Sequence, residues 1–423
     1  MARGFQCRIQ EIGNEQTCGQ GSWIAISSII RGYMNDLERF KAIVHFEKPD
    51  YVPIFGFPGA PGMAGGAMKK THQRLVETGM PEYVGGCWEP GKDPNLESWY
   101  KYWGTTGPMV VDFFPGEKPE ELKVEKRIEG EYEIIEDECG GIVRQVIDND
   151  ITYSMPEFVR YPVRDRSSWI VFRDKRTPGP RWPLEKIDEA AKKYDNRDRP
   201  LAVYGGSTWG GCLRSLLGTE LASTILYDDP DWAREILQWH YWQFRTYLFP
   251  LIERLRPEAV VCGEDICYKS GMLISPKHFR EFCSPYYQEL CSLCRDCGVD
   301  MVAIDTDGNA MEFVKLAEEC GINAIFPFEV KAGNDLFALR RKHPRFILMG
   351  WLEKEIINEG NGHLIRNEIM SKVPWLLERG GYFPNGDHGI QPDVTFENLC
   401  KFMTLLHEVC NNPEGEFLRI HPE

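Results

Sequence analysis

The fold is decided by residues 300–330, DMVAIDTDGNAMEFVKLAEECGINAIFPFEV. Two short apolar runs, 300–308 and 323–330, enclose a stretch at 310–320 in which apolar residues recur at helical spacing. A strand, a helix and a second strand of these lengths are typical of a right-handed crossover between parallel strands. The stretch therefore predicts an α/β fold with a parallel sheet.

The same alternation extends in both directions along the chain. A first strand is predicted at 51–59 (YVPIFGFPG), a further helix at 276–297, and four more apolar runs end in polar residues. These repeats, with no GxGxxG motif after a strand, favour a (β/α)8 TIM barrel over a doubly wound open sheet. The four runs are LAVYGGS (201–207), EAVVCGED (258–265), RFILMGWLE (345–353) and GYFPNGDHG (381–389).

The barrel is predicted to form one domain, residues 34–423, which follows an N-terminal extension at 1–33. Between about 60 and 200 the chain is rich in aromatic and turn residues. Within it, two alternating runs flank a Gly-Gly pair at 131–148 (EYEIIEDECGGIVRQVID), a pattern that predicts a β-hairpin. We therefore expect a long insertion that carries its own small sheet.

Charge and composition argue against several classes of protein. The 423 residues include 49 Lys and Arg against 64 Asp and Glu, a net charge of −15, which disfavours nucleic-acid binding. No apolar run approaches the roughly 18 residues of a membrane span, and the first 20 residues lack a secretory apolar core. We therefore expect a cytoplasmic protein that binds neither nucleic acid nor membranes.

Fourteen cysteines leave disulfide, metal, redox and core roles open. Cys291, Cys294 and Cys297 superficially match an iron–sulfur run. Their spacing of three, within a predicted helix, instead places the thiols along one helix face, where cysteine acts as a small apolar group. Core packing in a reducing compartment is the prediction.

Acidic residues follow the predicted strands, at the end of a barrel where chemistry takes place. One acidic strand end often caps the next helix, but five of them with a histidine indicate a metal or acid–base site. Imidazole with two or three carboxylates suits zinc or another divalent ion, while a turn histidine bonded to a carbonyl is the simpler reading. These residues are Glu264, Asp265, Asp305, Asp307, Glu329, Glu353, Asp387 and His388.

Aromatic residues lie near the same predicted strand ends. Side chains of this kind suit a pocket for a flat organic substrate, although aromatic residues more often pack in a core. They are Phe55, Phe57, Tyr204, Trp209 and Tyr268.

Four segments are distinctive, MNDLERFKAIVHFEKPDYVPI (34–54), GEDICYKSGMLISPKHFREFCSPYY (263–287), DTDGNAMEFVKLAEECGINAIFPFEV (305–330) and GGYFPNGDHGIQPDVTFEN (380–398). In these segments the chain from Met34 to its end resembles the uroporphyrinogen decarboxylase superfamily. That resemblance implies a (β/α)8 barrel. The first loop, GFPGAPGMAGGAMKK (56–70), lacks the arginine-containing R-Q-A-G-R motif of the decarboxylase, whose substrate carries carboxylates. The sequence is more similar to the corrinoid-dependent methyltransferases, in the branch of O-demethylase methyltransferase I.

The resemblance implies zinc at the strand ends. Thiol-methylating relatives hold zinc with H-x-C and a later Cys, where this chain has Asp305, Asp307 and His388. Oxygen and nitrogen ligands leave zinc more Lewis acidic, which suits polarising an ether oxygen. The implied metal ligands are Glu264, Asp307 and His388. The expected catalytic residues are Asp265, Asp305 and His388. From their place at the predicted strand ends, the residues expected to bind substrate are Phe57, Tyr204, Trp209, Tyr268, Asn309 and Glu329.

The expected function is therefore transfer of a methyl group from a methoxylated, aromatic compound to the Co(I) corrinoid of a partner protein. A corrinoid-binding protein is the expected partner, and the resemblance is also compatible with a homodimer. A lyase similar to uroporphyrinogen decarboxylase, acting on another carboxylated substrate with Asp265 and His388 as acid and base, is the alternative enzyme. A non-catalytic binding barrel is the third hypothesis.

Overall fold

The computed structural model describes most of the chain. The predicted N-terminal extension lies outside the described residues apart from Tyr33, as do parts of the predicted insertion. The described ranges are 33–57, 62–89, 92–111, 123–147, 156–177 and 184–423.

Seventeen strands occur in the described ranges, many of them only two residues long. They are β1 (Ile54–Phe55), β2 (Ala67–Met68), β3 (Cys87–Trp88), β4 (Thr105–Thr106), β5 (Met109–Val110), β6 (Val124–Glu129), β7 (Tyr132–Asp137), β8 (Ile142–Val146), β9 (Glu157–Arg160), β10 (Leu201–Tyr204), β11 (Ala259–Gly263), β12 (Cys267–Tyr268), β13 (Gly271–Met272), β14 (Met301–Asp305), β15 (Ala324–Phe326), β16 (Ile347–Leu352) and β17 (Tyr382–Gly386).

Fifteen α-helices occur in the same ranges, and three π-helical turns interrupt or extend them. The helices are α1 (Asp36–Val44), α2 (Lys69–Glu77), α3 (Leu96–Trp103), α4 (Arg166–Arg176), α5 (Leu184–Lys193), α6 (Ser215–Asp228), α7 (Pro230–Gln243), α8 (Phe249–Leu255), α9 (Pro276–His278), α10 (Ser284–Cys297), α11 (Phe313–Cys320), α12 (Leu336–Lys342), α13 (Glu355–Glu359), α14 (Gly362–Arg379) and α15 (Phe396–Val409). The π-helical turns are Trp209–Arg214, Phe244–Leu248 and Phe279–Cys283.

The main sheet is parallel and has seven strands in the order β17-β16-β15-β14-β11-β10-β5. Every predicted apolar run from 201 onward contributes one of its strands. A crossover with at least one helix separates successive strands, so the alternation predicted from residues 300–330 is confirmed. The predicted helix at 276–297 is also present, although a π-helical turn divides it into α9 and α10.

The eighth parallel position is taken by β1, the predicted first strand. β1 pairs with β4, and only Gly107 and Pro108 separate β4 from β5 at the edge of the main sheet. On the other side, the Asn385 side-chain amide donates to the Phe55 carbonyl (2.9 Å). The described residues contain no backbone ladder between β1 and β17, so the sheet is strongly curled but not hydrogen-bonded into a closed barrel.

Alternation along the strands separates two apolar clusters. The inner core fills the curled sheet, and Phe40 and Ile43 of α1 belong to it. The outer core packs the sheet against the surrounding helices. On β14, Met301 and Ala303 belong to the inner core while Val302 and Ile304 belong to the outer core, as the two-residue period of a strand requires.

Helix α1 begins at Asp36, and Asn35 is its N-cap. The Asn35 side chain accepts from the Glu38 N–H (2.9 Å), and the Glu38 carboxylate accepts from the Asn35 N–H (2.8 Å). This capping box satisfies two helix-end donors at once. It fixes the start of the helix that contributes to the inner core.

The stretch predicted as one insertion is divided in the structure. β7 and β8 form the predicted hairpin, within a four-stranded antiparallel sheet of order β6-β7-β8-β9. β4 and β5, however, pair with parallel strands. The expectation of a continuous insertion from 60 to 200 is corrected here, because two-residue strands interrupted by Gly107 and Pro108 give no alternating signal in the sequence.

Two further expectations concern cysteines and membranes. Cys291 and Cys294 are buried in the outer core and Cys297 is half-buried, as predicted for packing residues. None of the helices in the described ranges is long and apolar enough to cross a membrane.

Candidate active site

Asp305 ends β14 on the face that carries the inner core. It lies two residues beyond Ala303, so its side chain points into the mouth of the curled sheet. The Asp305 carbonyl accepts from the backbone N–H groups of Glu264 (2.9 Å) and Asp265 (3.2 Å), which fixes the end of β14 against the end of β11. We call Asp265, Asp305, Asp307 and His388 the acid cup.

The carboxyl group of Asp305 has no hydrogen-bond or ion-pair partner within the described ranges. Burial, followed by the nearby carboxylates of Asp265 and Asp307, raises the pKa of Asp305 to about 8. Each of these causes disfavours the charged form. Asp305 is therefore largely protonated at neutral pH and is able to donate a hydrogen bond or a proton.

Asp307 and His388 face each other within the acid cup. The His388 Nε2 lies 3.6 Å from the Asp307 Oδ1, and both side chains are about half exposed. Burial raises the pKa of Asp307, whereas the charge of His388 opposes the rise. The Gly389 N–H donates to the His388 Nδ1 (2.8 Å), so in the neutral ring the proton is on Nε2, facing Asp307.

Glu264 lies one residue before Asp265 but faces the opposite way. Its carboxylate accepts from the Ser207 hydroxyl (2.6 Å), from the N–H groups of Thr208 and Gly210 (3.1 Å each) and from the Thr208 hydroxyl. Its side chain is fully buried. Burial raises the pKa of Glu264, while the Ser207 and Thr208 donors oppose the rise. We call Glu264, Ser207, Thr208 and Gly210 the Glu264 cage.

Asp387 connects the loops around the acid cup. Its carboxylate accepts from the N–H groups of Val330 (2.9 Å) and Lys354 (3.2 Å), and the Lys354 ammonium lies 3.8 Å away. Burial raises the pKa of Asp387, and Lys354 is the largest opposing influence. Asp387 thereby fixes the loops after β15 and β16 beside His388.

Glu329, Asn309 and Glu353 also have structural partners. Glu329 accepts from the Gly308 N–H (2.8 Å). The Asn309 amide donates to the Ala332 carbonyl (2.9 Å). Glu353 pairs with Lys331 (3.4 Å). Glu329 and Asn309 therefore shape the loop that follows β14, and their predicted contact with substrate stays a prediction.

The predicted aromatic residues fall into two groups. Tyr204 and Tyr268, at the ends of β10 and β12, are 45% and 65% exposed and are available to a ligand. Phe57 is buried and stacks on Phe326, with ring centroids 4.8 Å apart. Trp209 is fully buried and its indole N–H donates to the Ala222 carbonyl (3.1 Å), so the structure places it in the outer core rather than at a pocket wall.

Two cations near the acid cup were not predicted as site residues. Arg214 donates through Nη2 to the Asp265 Oδ2 (2.6 Å), and Lys354 approaches Asp387. Arg214 ends a π-helical turn, and Lys354 follows β16 by two residues. The signal for Lys354 was its place after a strand end, while Arg214 gave none, because it lies ten residues beyond β10.

The donor set does not form a complete metal site. Within the described ranges no three His, Cys, Asp or Glu side chains converge on a point where an ion could be held. The oxygens of Glu264 are occupied by the cage donors, and His388 directs a protonated Nε2 toward Asp307 in its neutral form. The described arrangement thus offers an acid–base cluster rather than a zinc site.

Comparisons with known proteins address the family and the fold. The structure resembles a methyltransferase from Methanosarcina mazei with a TM-score of 0.52 and 14% sequence identity, over 89% of this chain and 98% of that one. At this identity the likeness shows the fold alone. An N-acetylneuraminate lyase from Mycoplasma synoviae matches at 14% identity over 52% of each chain, but its TM-score of 0.24 carries no argument.

A comparison with curated proteins finds no match to the sequence. The family model described as Uroporphyrinogen decarboxylase (URO-D), in contrast, matches residues 173–409, which is more than half of the chain. The matched region contains the acid cup, the Glu264 cage and six of the seven strands of the main sheet. The chain belongs to the uroporphyrinogen decarboxylase (URO-D) family.

Proposed function

We propose that this protein is a methyltransferase that removes a methyl group from a methoxylated aromatic compound and passes it to the Co(I) corrinoid of a partner protein. The observation that carries the proposal is the inward-facing carboxyl group of Asp305, which has no hydrogen-bond or ion-pair partner within the described ranges. It lies near the carboxyl groups of Asp265 and Asp307, and His388 lies 3.6 Å from Asp307. Cleavage of an ether needs a proton for the departing oxygen, and this group is placed to supply it.

The reaction assigns tasks to two members of the acid cup, Asp305 and His388. The C–O bond breaks as the methyl group passes to Co(I), and the bonding electron pair stays on the oxygen. Asp305 gives its proton to that oxygen, so the product is a phenol and Asp305 is left ionised. His388, hydrogen-bonded to the Gly389 backbone and facing Asp307, is positioned to return a proton from solvent.

The exposed aromatic rings support an aromatic donor. Tyr204 ends β10 and Tyr268 ends β12, and stacking on exposed rings of this kind orients a flat molecule. The resemblance to a methyltransferase of the same fold makes this reaction class the first to test.

Zinc, the cofactor that the resemblance implies, does not fit the described donor set as it stands. Asp307 and His388 supply two donors, and Glu264 does not join them. No step of the proposed reaction is therefore routed through a metal, and zinc remains a separate hypothesis.

A closed eight-stranded barrel is part of the proposal, with β1 and β17 as the closing neighbours. The amide of Asn385 already bridges this position. The mouth of such a barrel would present the acid cup to the corrinoid protein, whose Co(I) must reach the methyl group. The partner surface is therefore expected around the strand ends.

The test is to mix the purified protein with a reduced corrinoid protein and a panel of methoxyarenes, and to follow the Co(I) absorbance. We expect loss of the Co(I) signal with at least one donor and release of the matching phenol. Unchanged absorbance with every donor, in the presence of a corrinoid protein shown to accept methyl groups chemically, contradicts the proposal.

A second candidate is a lyase that decarboxylates a different substrate, with Asp265 and His388 as acid and base. The cations Arg214 and Lys354 beside the acid cup favour it, because a decarboxylase must hold a carboxylate. Release of CO2 from an aromatic acid without any corrinoid protein would support the lyase and contradict methyl transfer.

A further inference from the structure

Arg214 lies at the rim of the acid cup, and only part of its hydrogen-bonding capacity is used. Its side chain is 32% exposed, and its one hydrogen bond within the described ranges runs from Nη2 to the Asp265 Oδ2 (2.6 Å). A guanidinium group carries five N–H donors in a planar fork that suits a carboxylate held by two hydrogen bonds. Most of these donors are therefore available to a second anion.

The Glu264 cage holds Arg214 in this place. The π-helical turn Trp209–Arg214 begins beside the cage, and the Gly210 N–H is bound by the buried Glu264 carboxylate. A Cβ on Gly210 would lie 1.5 Å from the Glu264 carbonyl oxygen, so the turn packs directly against the end of β11. The guanidinium is thereby presented from a fixed turn rather than from a free loop.

The Asp265 carboxylate occupies the place on Arg214 that the carboxylate of a ligand would take. Its backbone has φ of 42°, the left-handed region that non-glycine residues rarely adopt, and its side chain is half exposed. Strained backbone of this kind clusters at ligand sites. The ion pair across the rim joins a half-exposed aspartate to a partly exposed arginine, so another carboxylate can replace Asp265 with little loss of free energy.

The rest of the surroundings limits the ligand further. Asp305 and Asp307 bring no positive charge to the floor of the acid cup, whereas Arg214 does, so the Arg214 rim is the favourable place for an anion. Tyr204 and Tyr268, at the ends of β10 and β12, have exposed rings that are available to a flat ligand. A ligand with an anionic end, a flat ring and an uncharged end fits this division.

This inference rests on the proposed function. We propose that Arg214 binds a carboxylate of the substrate, so that the methyl donor is a methoxylated aromatic acid. The acid end lies on Arg214 after displacing Asp265, and the methoxy end reaches Asp305. Arg214 is a specificity-determining residue, and Glu264 is the residue that positions it.

The test measures binding to the full-length protein without any corrinoid. The probes are 4-methoxybenzoate and its uncharged counterpart 4-methoxybenzyl alcohol, titrated by calorimetry into the wild type and into Arg214→Gln. We expect the wild type to bind the acid about tenfold or more tightly than the alcohol, and Arg214→Gln to lose that preference. Arg280→Gln, a paired surface arginine away from the cup, serves as the matched control and keeps the preference.

Asp265→Asn provides an independent test that does not depend on the stability of the arginine variant. Asparagine tolerates the left-handed backbone, while loss of the competing charge frees Arg214. We expect tighter binding of the acid and a larger preference for the acid over the alcohol than in the wild type. The inference is overturned if the wild type fails to bind the acid or shows no preference for it, if Arg214→Gln keeps the preference, or if Asp265→Asn weakens binding of the acid. An intact preference without methyl transfer contradicts the proposed function alone.

Discussion

The ends of β11 and β14 are neighbours, yet their carboxyl groups meet different surroundings. Glu264 turns toward the helices and accepts hydrogen bonds from Ser207, Thr208 and Gly210. Asp305 turns toward the inside of the sheet and has no partner for its carboxyl group within the described ranges. The period of two along a strand therefore separates a structural carboxylate from a reactive one.

This contrast sets the chemistry of each group. The Glu264 carboxylate has its donors built into the same protein, so removing it leaves buried polar groups unpaired. Burial and the nearby carboxylates of Asp265 and Asp307 raise the pKa of Asp305, so it holds its proton and is available to a substrate. Replacing each residue should consequently affect a different property, namely stability for Glu264 and reaction rate for Asp305.

The largest expected effect belongs to Asp305→Asn. Loss of the proton donor should lower the rate of methyl transfer by about 100-fold or more, because general acid catalysis contributes factors of that size. The rate of Co(I) loss with a methoxyarene measures it. Asp300→Asn is the matched control, since Asp300 precedes the same strand at its other end and pairs with His45. A rate for Asp305→Asn within tenfold of the wild type would remove Asp305 from the mechanism.

Glu264→Ala should lower the free energy of unfolding by about 3 kcal/mol, because the Ser207 and Thr208 donors and the Gly210 N–H lose a buried acceptor. Urea unfolding measures the change. Glu264→Gln, which keeps one acceptor oxygen, should show a smaller loss. The exposed Glu253→Ala control is expected to change the stability by less than about 0.5 kcal/mol. An unchanged stability together with loss of bound metal would instead identify Glu264 as a metal ligand.

The strands could be predicted because each one is a short apolar run closed by polar residues. Their parallel arrangement followed from the helices between them, and it is confirmed for every run from 201 onward. β4 and β5 escaped prediction because each has two residues and their partners lie far along the chain. Two residues are too few to show the alternation of apolar and polar side chains by which a strand is recognised in a sequence.

The candidate site was predicted as a set of strand ends, but the facing of its members was not. Side chains alternate along β11, with Ala259 and Gly263 on the inner face, so Glu264 lies on the outer face. This alternation could have been counted from the sequence. Asp305 satisfies the same count on the inner face. Arg214 could not be recognised in this way, because its position depends on a π-helical turn fixed by Glu264, fifty residues later in the chain.

His407, a third buried titratable residue, extends the comparison to the outer helices. It is 1% exposed, and its Nε2 has no hydrogen-bond partner within the described ranges. Burial lowers the pKa of His407 from 6.5 to about 3. Between these values the unfolded chain binds more protons than the folded one, so stability falls as the pH falls through this window.

This histidine should lower the free energy of unfolding by about 2 kcal/mol at pH 5 relative to pH 8. His407→Gln should reduce that loss, whereas exposed His363→Gln should leave the pH profile unchanged. Urea unfolding at pH 5 and pH 8 gives the comparison. A profile for His407→Gln that parallels the wild type would show that acid sensitivity arises elsewhere.

Asp307→Asn should have the smallest effect on stability, below about 1 kcal/mol, because the Asp307–His388 pair is half exposed and 3.6 Å apart. Urea unfolding measures the change.

The same variant, together with His388→Ala, tests the zinc hypothesis by elemental analysis. If the protein binds no metal, the wild type and both variants should contain equally little zinc, and a chelator should leave the melting temperature unchanged. Stoichiometric zinc in the wild type that both variants lose would show that a bound ion reorganises the cup, with the His388 ring turned so that Nε2 binds as a neutral donor. Asp305 would then act beside a metal, and only the Glu264 half of the comparison would stand as described.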